Sequence, residues 1–255
     1  MAYTIAFAGK GGTGKTSLAG LTVKYLASKR HGPILGVDAD SNSCLNEALG
    51  VEVHTTVGRL REESLDTVRS GSDRPGGMSM EQLFDYEVHQ SVIEAKGFDL
   101  IVMGRPEGAG CYCAANNIIR KYSDKLSETY PYVVIDNEAG MEHLSRRTTH
   151  KVNLLIIVSD PTMKGILTAK RIHDLIGELK LEVDKSILII NRVIDGDVSD
   201  LKETAEKAGI IVAGFVPQDE MIAQFDMQGV PVFQLPEDAS SVKALFGILD
   251  SYRIP

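Results

Sequence analysis

The residues Gly9-Lys10-Gly11-Gly12-Thr13-Gly14-Lys15-Thr16 follow a short apolar run near the start of the chain. Glycines at this spacing let successive backbone N–H groups turn inward around phosphate oxygens, and the positive end of a following helix adds to the attraction. In the pattern GxxxxGK[ST], Lys15 reaches the β- and γ-phosphates and the Thr16 hydroxyl ligates Mg²⁺. Gly11, Gly12, Thr13, Gly14, Lys15, Thr16 and Ser17 are therefore the candidate nucleotide contacts, with ATP and Mg²⁺ as the ligands. Asp38 and Asp40 end a second apolar run; carboxylates there can hold Mg²⁺ through water or orient an attacking water. Asp136-Asn137-Glu138-Ala139-Gly140 ends a third run and Asn191 a fourth. Cys111 and Cys113 form a CxC pair after a further strand. Two thiols are too few for a tetrahedral site. A two-fold dimer would supply four, suited to Zn²⁺, Ni²⁺, Cu⁺ or an iron–sulfur cluster.

These groups need elements to hold them. Strand-like runs are expected at Tyr3 to Ala8, Pro33 to Val37, Phe98 to Met103, Tyr132 to Ile135, Leu154 to Val158, Ser186 to Ile190 and Ile210 to Val216. Helical patterns lie between most of them, notably Lys15 to Ser28, Met163 to Leu179, Ser199 to Ala208 and Ser240 to Tyr252. Short Val/Ile/Leu-rich strands alternating with helices predict an α/β fold, a doubly wound and mainly parallel sheet with helices on both faces. Ligands of such sheets bind at the carboxyl ends of the strands. The glycine loop, Asp38 with Asp40, the segment 136–140 and Asn191 each directly follow a predicted strand, so they should meet on one rim. Residues 55–95 are less regular, and Arg69 to Gly77, rich in Ser, Gly, Arg and Pro, reads as a surface loop. With no repeat or long linker, the expectation is one domain over 1–255.

The chain has 255 residues, 43% hydrophobic and 24% charged, with net charge −8 and a pI of about 5.3. That acidity disfavours a broad nucleic-acid surface, which needs clustered Lys and Arg. No apolar run approaches the roughly 18 residues of a membrane span. The N-terminal run lacks a basic leader and passes straight into the glycine loop. Three cysteines are too few for a disulfide framework, so a reducing, cytoplasmic setting is expected. Cys44 reads as a small buried residue at a helix start. The six histidines are scattered, and His143 and His150 read as structural or solvent-facing.

Lys10 makes the loop resemble that of the deviant Walker A ATPases, which dimerise around ATP with the signature lysine reaching the partner's nucleotide. The motifs GKGGTGKT, DADSNSCL, CYC and DNEAGMEHLSRRTT together resemble the CooC-type nickel-insertion ATPases, over nearly the whole chain. These proteins mature carbon monoxide dehydrogenase, and a related group matures acetyl-CoA synthase. The resemblance implies an ATP-hydrolysing metallochaperone. Lys10 and Lys15 would neutralise developing charge, Asp40 would orient the water, Asp38 would lie on the metal side, and Asp136 would be the Mg²⁺-positioning carboxylate. Asn191 would meet the adenine edge, and Val216-Pro217-Gln218-Asp219 would belong to the loop around the base. It also implies a homodimer with Ni²⁺ or Zn²⁺ on Cys111 and Cys113 of both subunits, and a nickel enzyme as client, without nucleic acid or membrane.

Two other readings share the loop. The first is a MinD/ParA-like partitioning ATPase, which acts in spatial organisation and not on metals. Its membrane-binding form would need a basic amphipathic C-terminal helix, and its DNA-binding form a basic patch. The chain instead ends with one Arg and an Asp among its last eleven residues, Leu245 to Pro255. The second is an iron–sulfur ATPase like the nitrogenase iron protein, which uses two well-separated cysteines per subunit. Here the pair is close and no cysteine accompanies segment 136–140.

Overall fold

The computed structural model describes residues 2–29, 32–40, 42, 44–60, 62–63, 77, 80–104, 129–137, 151–179, 181–194 and 198–254. Cys111, Cys113, Glu138, Gly140, His143 and His150 lie outside the described residues, as does nearly all of the loop expected at 69–77.

Eight strands form one sheet: β1 (Tyr3–Gly9), β2 (Ile34–Ala39), β3 (Ile93–Ala95), β4 (Phe98–Val102), β5 (Tyr132–Asn137), β6 (Val152–Ser159), β7 (Val183–Val193) and β8 (Val212–Pro217). Their order is β3-β4-β2-β5-β1-β6-β7-β8. Every pairing is parallel except that of edge strand β3 with β4. Among the described residues the helices are α1 (Lys15–Lys29), α2 (Leu45–Leu49), α3 (Met80–Gln90), α4 (Met163–Glu178), α5 (Ser199–Lys207), α6 (Glu220–Gln228) and α7 (Ser240–Ser251).

The alternation of strand side chains divides the core in two. Ile5 and Phe7 of β1 face Leu18, Leu21 and Leu26 of α1 and Val242, Leu245 and Leu249 of α7. Ala6 and Ala8 face the opposite layer, with Ile166, Ala169 and Ile172 of α4 and Ala205 of α5. Both faces are covered, which is why the strands read as continuous apolar runs and not as an alternating pattern. Each fully buried Leu or Ile contributes about 1.5–3 kcal/mol by leaving water.

The structure moves several predicted boundaries. β2 runs to Ala39, so Asp38 lies inside the strand and is fully buried. Asp136 and Asn191 likewise sit within β5 and β7, not after them. The antiparallel β3 and the helices α3 and α6 were not expected, while α2 begins directly after Cys44, where a helix start was expected. β3 has three residues, too short for hydrophobic periodicity to separate it from loop.

Candidate functional site

β1 is central, and at its carboxyl end the chain turns through the glycine loop into α1. Gly9, Gly12 and Gly14 have φ of 155°, 79° and 92°, a region that side chains with a Cβ rarely enter. Crowding adds to this at two of them. A Cβ on Gly9 would stand 2.3 Å from the Val158 carbonyl oxygen, and one on Gly14 would stand 2.4 Å from Asn191 Nδ2. A Cβ on Gly12 would meet nothing within 4 Å; that glycine is needed for its dihedral alone.

The loop's outward carbonyls are held by donors. The Lys10 carbonyl accepts the Thr13 hydroxyl at 2.9 Å and Lys15 Nζ at 3.3 Å. The Thr13 carbonyl accepts Asn191 Nδ2 at 2.8 Å, and the Gly12 carbonyl accepts Arg192 Nη1 at 2.9 Å. Thr13 and Lys15 are buried, Gly11 and Gly12 exposed, Thr16 and Ser17 half-buried, and the Lys10 side chain is exposed. Thr13 N–H closes the loop onto the Lys10 carbonyl at 3.4 Å, and with the Gly12 and Thr13 carbonyls tied by Arg192 and Asn191 the loop is shaped to take an anion at the start of α1.

Two carboxylates flank this cradle. Asp38 and Asp136 are register partners on β2 and β5. Asp136 Oδ2 accepts the Thr16 hydroxyl at 2.6 Å, while its buried Oδ1 has no hydrogen-bond partner among the described residues. Burial pushes its pKa up to about 6; the Thr16 hydroxyl and Lys15 pull the other way, and Asp40 adds repulsion. A desolvated carboxylate with a free oxygen, beside a threonine hydroxyl, is the hard oxygen set that Mg²⁺ prefers. The residues present therefore fit the ion. Asp38 is pushed up to about 7, chiefly by burial, with backbone N–H bonds opposing and Asp136 and Asp40 adding repulsion. Its Oδ2 accepts Leu45 N–H at 2.8 Å and its Oδ1 accepts Asp40 N–H at 3.1 Å. Asp38 thus shapes the backbone that carries Asp40. Asp40 is half-buried at the rim, and its Oδ1 accepts Asn42 N–H at 2.8 Å.

Other predicted site residues fall in distinct places. Asn191 is buried against the phosphate loop. Pro217 ends β8, and Gln218 N–H bonds the Val193 carbonyl at 2.9 Å. Asp219 caps α6 through Met221 N–H at 3.0 Å and also accepts Ser240 Oγ, Ser241 N–H and Ser241 Oγ at 2.8–3.0 Å. Burial raises its pKa, but these donors outweigh that and hold it below the usual carboxylate range. Its carboxylate ties α6 to α7. Cys44 is the half-exposed residue before α2 and not a buried one. Burial, then Asp38, Asp40, Glu47 and Asp136, push its thiol upward, which disfavours the thiolate that binds metals. Sequence reasoning missed Arg192. Its only signal was a basic residue beside Asn191 at a strand end. Asn137 was also missed: it is buried, and its Nδ2 bonds the Phe7 carbonyl at 2.8 Å.

Comparison with known proteins gives a consistent result. The profile of the CobQ/CobB/MinD/ParA nucleotide binding domain matches residues 4–232. An uncharacterized ATP-binding protein of Methanocaldococcus jannaschii is 43% identical over 234 residues, 92% of each chain. The carbon monoxide dehydrogenase accessory protein CooC of Rhodospirillum rubrum is 29% identical, covering 91% of this chain and 89% of the relative. Among solved structures, the septum site-determining protein MinD complexed with Mg-ADP from Pyrococcus horikoshii superposes with a TM-score of 0.69 at 15% identity, covering 100% of this chain and 97% of that one. That similarity is one of fold.

Proposed function

The chain belongs to the CobQ/CobB/MinD/ParA nucleotide-binding family and is a P-loop ATPase, and from that premise we propose that it uses ATP hydrolysis to handle a transition-metal ion for a nickel enzyme. The observation that carries the ATPase part is the tied phosphate loop beside the Thr16–Asp136 pair. Lys15 and the loop N–H groups bind the β- and γ-phosphates, and Lys10, exposed at the rim, reaches toward the nucleotide of a second copy. Thr16 and Asp136 would hold Mg²⁺, which would supply charge neutralisation at the phosphates. Asp40 orients the water that attacks the γ-phosphorus. Asn191 and the turn at Pro217 border the space for the base. Since the Asn191 amide nitrogen is committed to Thr13, its carbonyl oxygen is the atom left to meet the adenine amino group.

The metal part rests on the 29% relationship to the CooC accessory protein over 91% of the chain and on the Cys111-Tyr112-Cys113 motif. A homodimer would join two such pairs into one four-thiolate site for Ni²⁺ or Zn²⁺ as cargo. ATP-driven rearrangement of the two subunits would change thiolate geometry and so metal retention. Carbon monoxide dehydrogenase or acetyl-CoA synthase would be the client. The test is elemental analysis, with oligomer size, of the purified chain and of a Cys111→Ser, Cys113→Ser variant. The wild type should hold one nickel or zinc per two chains and the variant none, with ATP affinity unchanged. Equal metal content in the two proteins would remove the site, and visible absorbance of a cluster would replace the mononuclear metal.

A further inference from the structure

Successive side chains of a regular strand point to opposite faces of the sheet. Asn191 and Arg192 are neighbours on β7, yet both reach the phosphate loop, on the Thr13 and Gly12 carbonyls. The strand is irregular where this happens. Its pairing with β8 shifts register between Ile190 and Val193, and Arg192 has φ of 59°. That is the left-handed region, which a residue with a Cβ enters only when its surroundings hold it there. The bulge turns Arg192 onto the same side as Asn191. Such irregularities re-aim side chains, and they gather next to functional sites.

The contact has a directional consequence. In a trans peptide the carbonyl of one residue and the N–H of the next point in opposite directions. A guanidinium that holds the Gly12 carbonyl outward therefore sets the direction of Thr13 N–H, which closes the loop by donating to the Lys10 carbonyl at 3.4 Å. Asn191, on the Thr13 carbonyl, does the same for Gly14 N–H. Gly14 leaves room for both: a Cβ there would lie 2.4 Å from Asn191 Nδ2 and 3.9 Å from Arg192 Nε. The donor at Gly12 is a charged one, so it also polarises the peptide group and keeps a positive charge close to the phosphates.

We propose that Arg192 is a positioning residue for ATP binding. Delivered by the β7 bulge, it locks the Gly12–Thr13 peptide in the turn that closes on the Lys10 carbonyl and so holds the shape of the phosphate loop. It acts on ground-state affinity and not on the attacking water, because its hydrogen bond is to a carbonyl of the loop backbone, that of Gly12. The inference rests on the ATP site described above.

The test is ATP·Mg affinity by titration calorimetry together with steady-state kcat, on the wild type and on Arg192→Gly, Arg192→Asn and Arg192→Lys. Glycine and asparagine tolerate the left-handed φ, so both variants keep the bulge while losing the guanidinium. Both should bind ATP roughly tenfold more weakly, the scale of one hydrogen bond from a charged donor, with kcat within about twofold of wild type. Lysine should recover part of the loss. Millimolar methylguanidinium should strengthen ATP binding to Arg192→Gly and leave the wild type unaffected, which a merely structural role would not produce. Unchanged affinity in the glycine and asparagine variants would overturn the proposal, as would a fall in kcat at unchanged affinity. A wild-type chain that does not bind ATP would overturn the nucleotide site itself.

Discussion

Asp136 carries a cost that can be measured without any ligand. Replacing it with Asn keeps the shape and keeps an oxygen to accept the Thr16 hydroxyl, but removes the ionisation. In the folded chain its pKa stands at about 6 against 3.8 for the free group, a difference of about 3 kcal/mol. The folded state favours the protonated acid, so the stability this group gives is fully present below pH 3.8 and is lost as pH rises through about 6. The introduced asparagine would not titrate. Its amide nitrogen would occupy the place where Oδ1 has no partner, a fixed penalty of about 1–3 kcal/mol. That offset does not depend on pH. The stability difference between Asp136→Asn and wild type should therefore move by about 2–3 kcal/mol in favour of the variant between pH 4 and pH 8. Urea unfolding followed by circular dichroism, in EDTA and without nucleotide, measures it. A gap that stays constant over this range would refute the claim that Asp136 is buried at a desolvation cost. With Mg²⁺ and ATP added at pH 8 the order should reverse, because the wild type alone converts that cost into cation binding.

Two further predictions concern the loop. Gly14→Ala forces a Cβ to within 2.4 Å of Asn191 Nδ2 at a φ of 92°; the left-handed backbone alone costs about 1–2 kcal/mol. The variant should melt lower and lose measurable ATP binding by calorimetry, and wild-type affinity would contradict the role given to Asn191. Lys10→Ala should leave the ATP affinity of the single chain within a few fold but weaken ATP-dependent dimerisation, as read by sedimentation velocity. An unchanged dimer in ATP would remove Lys10 from the interface.

The sheet and its layers were largely legible in the sequence. Both of its faces are covered, so central strands such as Leu154 to Val158 are apolar at every position and stand out. The short edge strand was not: β3 has three residues and carries no period of its own. Asp38 and Asp136 were found because charged residues ending apolar runs are conspicuous. Their different environments were not visible, since these depend on which backbone N–H groups and hydroxyls come near.

By itself the sequence determined the chemistry of the loop. The spacing of Gly9, Gly14, Lys15 and Thr16 is local, and a local backbone turn is enough to define a phosphate nest. What only the tertiary structure decided is who holds that nest open. Asn191 and Arg192 lie about 180 residues from the carbonyls they bind. They reach the loop because β6 alone separates β1 from β7 in the sheet, and because a bulge turns two successive side chains to one side. Sheet order and a single left-handed dihedral are properties of the packed chain, and no spacing along the sequence encodes them.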